Sequence, residues 1–259
     1  MMRKNLVKAK LKKGEVVFGC MVLSTDPIVA EVLGLAGFDF LMMDGEHGSF
    51  DVKILENMVR ACDAVGVVSF ARLPVSDPGG MLPYLETGIM GVQVPHMSSK
   101  EDAIRLVDAA KYSPIGKRGM GSGRVTGYAA VPPAQHGKEW NEEMLAIVQV
   151  EDAEAIGSLP AILEVPGADI IAIGLSDLAN SMGFRGDRDN PAVMQAAAKM
   201  TKMIRDTGRW VSVAIRANDP ALVKRYVDMG VQIIKYGDVK LLRDNAMAAL
   251  KVGRAAAAG

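Results

Sequence analysis

Hydrophobic residues along the chain alternate between two kinds of segment. Short, nearly continuous apolar runs such as ADIIAIG (168–174) and VQIIKYG (231–237) are separated by longer segments with helical spacing. Continuous apolar runs are typical of parallel strands that are covered on both faces. The pattern predicts eight strands, at Val16–Leu23, Phe38–Asp44, Val67–Leu73, Gly91–Pro95, Ala146–Glu151, Ile170–Gly174, Trp210–Ile215 and Gln232–Tyr236.

Amphipathic segments with helical spacing lie between the predicted strands. They predict helices at Pro27–Ala36, Val52–Val65, Lys100–Ala110, Ala192–Thr207 and Pro220–Met229. A glycine, which tolerates the left-handed conformation at a helix end, often precedes the next strand. Alternating β and α units imply a parallel sheet. Eight units predict a TIM (β/α)₈ barrel formed as a single domain by residues 1–259, with a doubly wound open sheet as the alternative.

Three segments depart from this alternation. The basic start predicts a short N-terminal helix with Leu6 and Leu11 as apolar contacts. The Gly/Pro-rich stretch Tyr112–Glu143 predicts a long loop over or beside the site, and its Arg124 is a candidate contact for the distal group of a second substrate. A C-terminal helix is predicted at Leu241–Val252, followed by a frayed tail.

Composition excludes several classes of function. Thirty basic and thirty acidic residues give no net charge, which argues against nucleic-acid or anionic membrane partners. No apolar run approaches the roughly 18 residues of a membrane span, and the start lacks the apolar region of a secretory signal. The two cysteines, Cys20 and Cys62, have no paired spacing, so we expect a reduced, cytoplasmic protein.

Charged residues collect where the predicted strands end. In a TIM barrel the active site lies at the carboxyl ends of the strands. Carboxylates occupy this position after the second, fifth and sixth strands, with a histidine after the second and an arginine after the third. Carboxylates without cysteine or clustered histidine favour a hard cation such as Mg²⁺ or Mn²⁺.

Five motifs carry these residues in one order. They are Asp-Gly-Glu-His at 44–47, Arg72-x-Pro74, Gly-Lys-Arg-Gly at 116–119, Gln149-x-Glu151 and Gly174-x-x-Asp177-Leu178. In these motifs, and from about Leu6 to about Gly253, the sequence resembles the HpcH/HpaI family of metal-dependent class II pyruvate aldolases. That family includes 4-hydroxy-2-oxoheptanedioate aldolase and 2-dehydro-3-deoxyglucarate aldolase. The resemblance implies a carbon–carbon lyase that cleaves 4-hydroxy-2-oxo acids to pyruvate and an aldehyde, or forms them.

The resemblance also implies a metal site. Glu151 and Asp177 are the expected ligands of a divalent cation, Mg²⁺ or Mn²⁺, with Co²⁺ or Zn²⁺ as further options. Two carboxylates leave positions open for a bidentate 2-oxo acid. Arg72 is expected beside the keto oxygen, where its charge stabilises the developing enolate.

The remaining roles implied by the resemblance concern proton transfer and substrate binding. His47 is the expected acid/base, with Asp44 fixing its tautomer and orientation. Gln149 is expected to form a hydrogen bond near the metal. Backbone N–H groups around Ser176 and Asp177 are expected to receive the pyruvate carboxylate. A homo-oligomer, commonly a hexamer of dimers that exchange C-terminal helices, is also implied.

Other interpretations remain open. The same barrel and metal would suit an acyl-CoA ester lyase or a phosphoenolpyruvate-type enzyme, and a non-catalytic barrel that binds a 2-oxo acid is a third possibility. Lys235 would permit a Schiff-base mechanism, but a structural ion pair is the preferred interpretation. His96 and His136 are interpreted as surface or loop histidines.

Overall fold

Eight parallel strands close into a barrel in chain order. The computed structural model describes residues 3–74, 77–216 and 219–258. Each strand pairs with the next, and the last pairs with the first, as in Val17 with Ile233. This confirms the TIM barrel and all eight predicted strands. They are β1 (Val17–Val22), β2 (Phe40–Asp44), β3 (Val68–Arg72), β4 (Gly91–Val94), β5 (Leu145–Val150), β6 (Ala168–Ile173), β7 (Trp210–Ala214) and β8 (Ile233–Gly237).

Helices surround the barrel, and all five predicted helices are present. The described helices are α1 (Leu6–Lys12), α2 (Pro27–Leu35), α3 (Val52–Val65), α4 (Pro78–Leu85), α5 (Lys100–Ala110), α6 (Pro133–Glu143), α7 (Ala153–Leu163), α8 (Leu175–Ser181), α9 (Pro191–Asp206), α10 (Pro220–Met229) and α11 (Asp238–Ala258). Four of them begin with an Asp or Asn cap followed by proline, because the side chain satisfies a free N–H while proline needs none.

The barrel interior toward the amino ends of the strands, called here the lower interior, is apolar and tightly filled. The rings of Phe40 and Phe70 lie with their centroids 4.7 Å apart. A Cβ at Gly19 would lie 2.2 Å from the Phe40 ring, and one at Gly91 would lie 2.5 Å from the Phe70 ring. These glycines therefore provide the space that the two rings occupy.

The N-terminal helix α1 covers the amino end of the barrel. Val7 and Leu11 are buried in the same apolar cluster as the lower interior. Leu6, predicted as an apolar contact, is instead 55% exposed, because the residue facing inward one turn before Leu11 is Val7.

The long segment Tyr112–Glu143 lies at the end opposite to the one predicted. It follows α5 and precedes β5, and a connection from a helix to the next strand reaches the amino end of the barrel. It contains a 3₁₀ turn (Arg124–Thr126) and α6, which the sequence pattern missed. Arg124 donates to Thr87 O (2.8 Å) and pairs with Asp63, so its predicted position as a substrate contact at the strand ends is wrong.

An aromatic cluster fixes this segment. The Arg118 guanidinium lies 5.1 Å from the Tyr112 ring centroid and 3.9 Å from that of Trp140. It also pairs with Glu86 at 2.6 Å. His136 is buried against Tyr112 and Trp140, so its interpretation as a surface or loop histidine is wrong.

The C-terminal helix α11 is longer than predicted. It continues through Ala258, so the described part of the predicted frayed tail is helical, and Gly259 lies outside the described residues. Leu242, Met247 and Val252 are exposed on it. The exchange of this helix between subunits stays a prediction. Among the described helices, none combines the length and apolar character that crossing a bilayer requires.

Candidate active site

A cavity of about 640 Å³ lies at the carboxyl ends of the strands. Six of the predicted site residues line it. They are Asp44, Arg72, Gln149, Glu151, Ser176 and Asp177. The seventh, His47, lies on the turn that follows β2, and its side chain is 62% exposed. These side chains therefore lie at the end of the barrel that the strand-end rule predicted.

Arg72 is held from two sides by carboxylates. Its Nε and Nη2 donate to the two oxygens of Asp44 at 2.9 and 2.6 Å, and Nη1 lies 2.8 Å from Glu46 Oε2. Burial alone would raise the pKa of Asp44, but the hydrogen bonds and charge of Arg72 outweigh it and hold that pKa below its ordinary value. The pair is therefore charged at neutral pH, and its guanidinium has a fixed orientation.

Asp44 does not orient the His47 ring as predicted. Its Oδ1 accepts from the backbone N–H groups of Glu46 (3.2 Å) and His47 (3.3 Å), and both its oxygens accept from Arg72. The carboxylate beside the ring is that of Glu46, 3.9 Å from His47 Nε2. Asp44 thus shapes the turn that carries His47, because the short Asp side chain reaches its own following N–H groups.

Glu151 is a deeply buried carboxylate at the end of β5. Burial raises its pKa above the ordinary value, the amide of Gln149 and the N–H of His96 oppose that rise, and the nearby charge of Asp177 adds to it. A Cβ on Gly174 would lie 2.4 Å from Glu151 Oε2, so the close approach requires glycine there. A cation beside Glu151 would relieve this unfavourable burial of negative charge.

Glu46 and His96 adjoin Glu151, and sequence reasoning assigned neither of them to the site. One ligand atom from each of the three residues lies within 4.8 Å of the others. The His96 backbone has φ of 53°, which is uncommon for a residue other than glycine, and its N–H donates to Glu151 Oε1 at 2.9 Å. Its position two residues after the end of β4 was the signal that could have assigned it.

The donor set around Glu151 fits a divalent cation. The set consists of three carboxylates, Glu46, Glu151 and Asp177, and the His96 imidazole, which suits hard or borderline divalent metals. Asp177, the second predicted ligand, is exposed in the first turn of α8 and lines the cavity. Two ligand arrangements are thus available, Glu151 with Asp177 and Glu151 with Glu46 and His96.

A row of four hydrogen-bonded side chains crosses the barrel interior, and all four line the cavity. Lys235 Nζ donates to Gln93 Oε1 at 2.9 Å, Gln93 donates to Gln149, and Gln149 donates to Glu151. Burial lowers the pKa of Lys235 to about 7. The predicted ion pair is therefore wrong, since the partner of Lys235 in this row is an amide oxygen.

The predicted carboxylate-binding residue Ser176 lies in the first turn of α8 and lines the cavity. Its hydroxyl accepts a hydrogen bond from Arg216 Nη2 at 2.7 Å. Arg188, Lys240 and Arg243 line the same cavity. The lining of the cavity therefore contains basic side chains besides Arg72 and Lys235.

Comparisons with known proteins match nearly the whole chain. The model of the family described as HpcH/HpaI aldolase/citrate lyase matches residues 17–244. A hydroxypyruvate/pyruvate aldolase of Roseovarius nubinhibens is 34% identical over 245 residues, 93% of this chain and 94% of the relative. A 4-hydroxy-2-oxo-heptane-1,7-dioate aldolase of Salmonella arizonae is 34% identical over 248 residues, 95% of this chain and 93% of the relative.

Solved structures show the same architecture. An HpcH/HpaI aldolase from Desulfitobacterium hafniense superposes with a TM-score of 0.89 at 29% identity, covering 95% of each chain. A protein from Burkholderia cenocepacia described as of the HpcH/HpaI aldolase/citrate lyase family superposes with a TM-score of 0.90 at 27% identity, covering 97% of this chain and all of the other.

Proposed function

The chain belongs to the HpcH/HpaI aldolase/citrate lyase family, and we propose that it is a class II aldolase that cleaves or forms 4-hydroxy-2-oxo acids, with pyruvate and an aldehyde as the cleavage products. It is a carbon–carbon lyase by its family and its named relatives. One observation carries the proposal. A buried carboxylate, Glu151, shares one cavity with Asp177 and with the Arg72 guanidinium.

The proposed metal ligands are Glu151 and Asp177, with Glu46 and His96 as further donors. Bound there, a divalent cation supplies a Lewis acid that polarises the keto oxygen and offsets the negative charge of the enolate. The raised pKa of Glu151 supports this assignment, because a buried carboxylate facing another one gains most from a bound cation. The donors do not select a single metal among Mg²⁺, Mn²⁺, Co²⁺ and Zn²⁺.

Arg72 is proposed to stabilise the charge that develops on the substrate. A guanidinium has five N–H donors. Two of them donate to Asp44, and Glu46 forms an ion pair without a hydrogen bond, which leaves three donors for the substrate. Because Asp44 already fixes its orientation, Arg72 needs little rearrangement when the enolate forms.

Proton transfer is proposed to involve His47. When the bond between C3 and C4 breaks, its electron pair forms the enolate of pyruvate, and the C4 hydroxyl gives up its proton as the aldehyde forms. An imidazole accepts such a proton at neutral pH. A proton returned to C3 of the enolate then completes pyruvate. Gln149, Ser176 and the first turn of α8 are proposed to bind the 2-oxo acid.

The test is pyruvate release from a panel of 4-hydroxy-2-oxo acids, coupled to lactate dehydrogenase, with and without added Mn²⁺. We expect release that EDTA abolishes and Mn²⁺ restores. Glu151→Gln should lose it, whereas Glu164→Gln should retain it, because Glu164 is an exposed residue paired with Lys100. Release that survives EDTA would disprove the metal role. If no pyruvate is released from any member of this panel but a citramalyl-CoA or malyl-CoA ester is cleaved, the citrate lyase branch of the family is favoured.

A class I mechanism is the second candidate, because Lys235 lines the cavity and burial lowers its pKa to about 7. Its Nζ is engaged by Gln93, which argues against a free nucleophile. Treatment with pyruvate and borohydride separates the two mechanisms. We expect no added mass on Lys235, and a reduced pyruvyl adduct there would establish class I.

Association of several copies is also proposed, with the hexamer implied by the sequence resemblance as the expected state. Exposed apolar side chains on α2 and α11 support it, among them Leu35, Leu242 and Val252. Light scattering tests it. A monomeric mass for the wild type would contradict association, and we expect Leu242→Glu to lower the mass of the assembly.

A further inference from the structure

The row of hydrogen-bonded side chains that lines the cavity has a defined direction. Every hydrogen bond in it points from Lys235 toward Glu151, through Gln93 and then Gln149. All four side chains are buried, with 1–4% of their surface exposed. Such a row is well ordered only when each member has its partner.

The chemistry of the two ends fixes this direction. Lys235 has N–H donors in both its ammonium and its amine form, so Gln93 turns its oxygen to Lys235 and its NH₂ to Gln149. At the other end a carboxylate can only accept, so Gln149 must turn its NH₂ to Glu151. Neither glutamine can flip without placing oxygen against oxygen or N–H against N–H.

We propose that Lys235 is a positioning residue that acts through the Gln93 and Gln149 amides to hold the Glu151 carboxylate in place for a divalent cation. The inference rests on the proposed function, since it assumes that Glu151 is a metal ligand. Lys235 touches neither substrate nor cation in this role. Its effect reaches Glu151 only through the two amides.

A purely electrostatic role for Lys235 predicts the opposite effect. A positive charge near the site repels a cation, so Lys235→Met would then strengthen Mn²⁺ binding. If Lys235 acts through the amides, the same change frees Gln93 and Gln149 to reorient, and Mn²⁺ binding becomes weaker. Residues that orient metal ligands typically change affinity by about 10- to 100-fold.

The experiment measures the Mn²⁺ dissociation constant of the full chain by electron paramagnetic resonance. We expect Lys235→Met and Gln93→Met each to weaken binding by about tenfold or more. In a Gln149→Met background, Lys235→Met should cause little further change, because the connection to Glu151 is already broken. The matched control is Lys111→Met, since Lys111 is an equally buried lysine at the amino end of the barrel, paired with Asp169. It should leave Mn²⁺ affinity unchanged.

The outcomes separate this inference from the proposed function. Absent Mn²⁺ binding by the wild type, or equal binding by Glu151→Gln, would disprove the metal role of Glu151 and with it the inference. Glu151-dependent binding that is unchanged or tighter in Lys235→Met or Gln93→Met would overturn the positioning role alone. So would losses from Lys235→Met and Gln149→Met that simply add. If Lys235→Met does not fold, Gln93→Met alone decides between these outcomes.

Discussion

A buried arginine paired with a carboxylate occurs at both ends of the barrel, with different surroundings. Arg72, at the carboxyl end, donates two hydrogen bonds to Asp44 and lines a cavity of about 640 Å³. Arg118, at the amino end, pairs with Glu86 while Tyr112 and Trp140 lie against it. The aromatic contacts use the guanidinium for packing, whereas the open cavity leaves part of Arg72 available to a ligand.

This difference shows that a buried ion pair alone does not mark a functional site. Both arginines occur in motifs that carry the sequence resemblance, Arg72-x-Pro74 and Gly-Lys-Arg-Gly at 116–119. What separates them is the direction of the chain, because a connection from strand to helix reaches one end and a connection from helix to strand reaches the other. The comparison makes opposite predictions for activity and for stability at the two ends.

The largest expected effect is on activity at the carboxyl end. Arg72→Lys keeps the charge but loses the fixed two-point bond to Asp44, so the enolate is poorly stabilised. We expect kcat/KM for pyruvate release to fall by about 10²- to 10³-fold, with native circular dichroism. A loss below about threefold would remove the proposed role of Arg72.

The matching change at the amino end should act on stability. Arg118→Met removes the partner of Glu86 and the cation that packs on Trp140. Glu86 is partly exposed, so we expect the free energy of unfolding, measured in urea, to fall by about 2–3 kcal/mol. This is below the range for a fully buried pair. Activity per folded molecule should remain near that of the wild type. A large fall in kcat at full folding would show that this end also serves catalysis.

Lys235 gives the carboxyl end a pH-dependent stability. Its pKa is about 7 in the folded protein and about 10.4 in the unfolded chain, so between these values the unfolded chain binds more protons. Stability from this group therefore rises as pH increases above 7, by about 1.4 kcal/mol per pH unit. Urea titrations of metal-free protein from pH 7 to 8.5 should show this slope in the wild type and not in Lys235→Met.

The upper end of that pH range matters because the cysteines act in the opposite direction. Burial raises the pKa of Cys20 and that of Cys62 to about 12. The unfolded chain therefore loses thiol protons first, and stability falls as pH increases above about 9. Equal slopes in the wild type and Lys235→Met below pH 8.5 would contradict the buried-lysine interpretation.

The smallest expected effect comes from one added methyl group. Gly174→Ala would place a Cβ 2.4 Å from Glu151 Oε2 and displace that carboxylate, so we expect Mn²⁺ binding to weaken by about tenfold. Gly157→Ala is the control, because a Cβ there meets nothing within 4 Å. Within a helix it should stabilise the protein by about 0.5–1 kcal/mol and leave metal binding unchanged. Equal Mn²⁺ affinity in both variants would contradict the close-packing argument.

Much of the fold was predictable because a parallel strand covered on both faces reads as an apolar run. The strand-end rule then located the residues of the cavity. The side-chain partners were not predictable, since they depend on how each turn is shaped. Asp44 was expected at the His47 ring and instead binds Arg72 and the backbone N–H of His47. Gln93 was not predicted as a site residue, because it is a neutral amide within the short strand Gly91–Val94 and no charge distinguishes it.

The segment Tyr112–Glu143 was misplaced for a different reason. Its glycines and prolines hide α6, whose first turn contains Pro133 and whose interior contains Gly137. Without that helix the segment resembles a loop over the site, and Arg124 then resembles a substrate contact. Composition therefore concealed a helix in this segment, and it does not say at which end of a barrel a connection lies.

The pairing of β1 with β8 has a consequence for the synthesis of the chain. Val17 pairs with Ile233, which is synthesised 216 residues later (233 − 17), and the barrel cannot close before then. At about 5–20 residues per second the ribosome needs roughly 10–40 s to deliver that partner. During this time β1 has an open edge, which is the kind of surface that joins other nascent chains. Barrel closure is thus a late event in translation, and we expect the open edge of β1 to persist until β8 emerges.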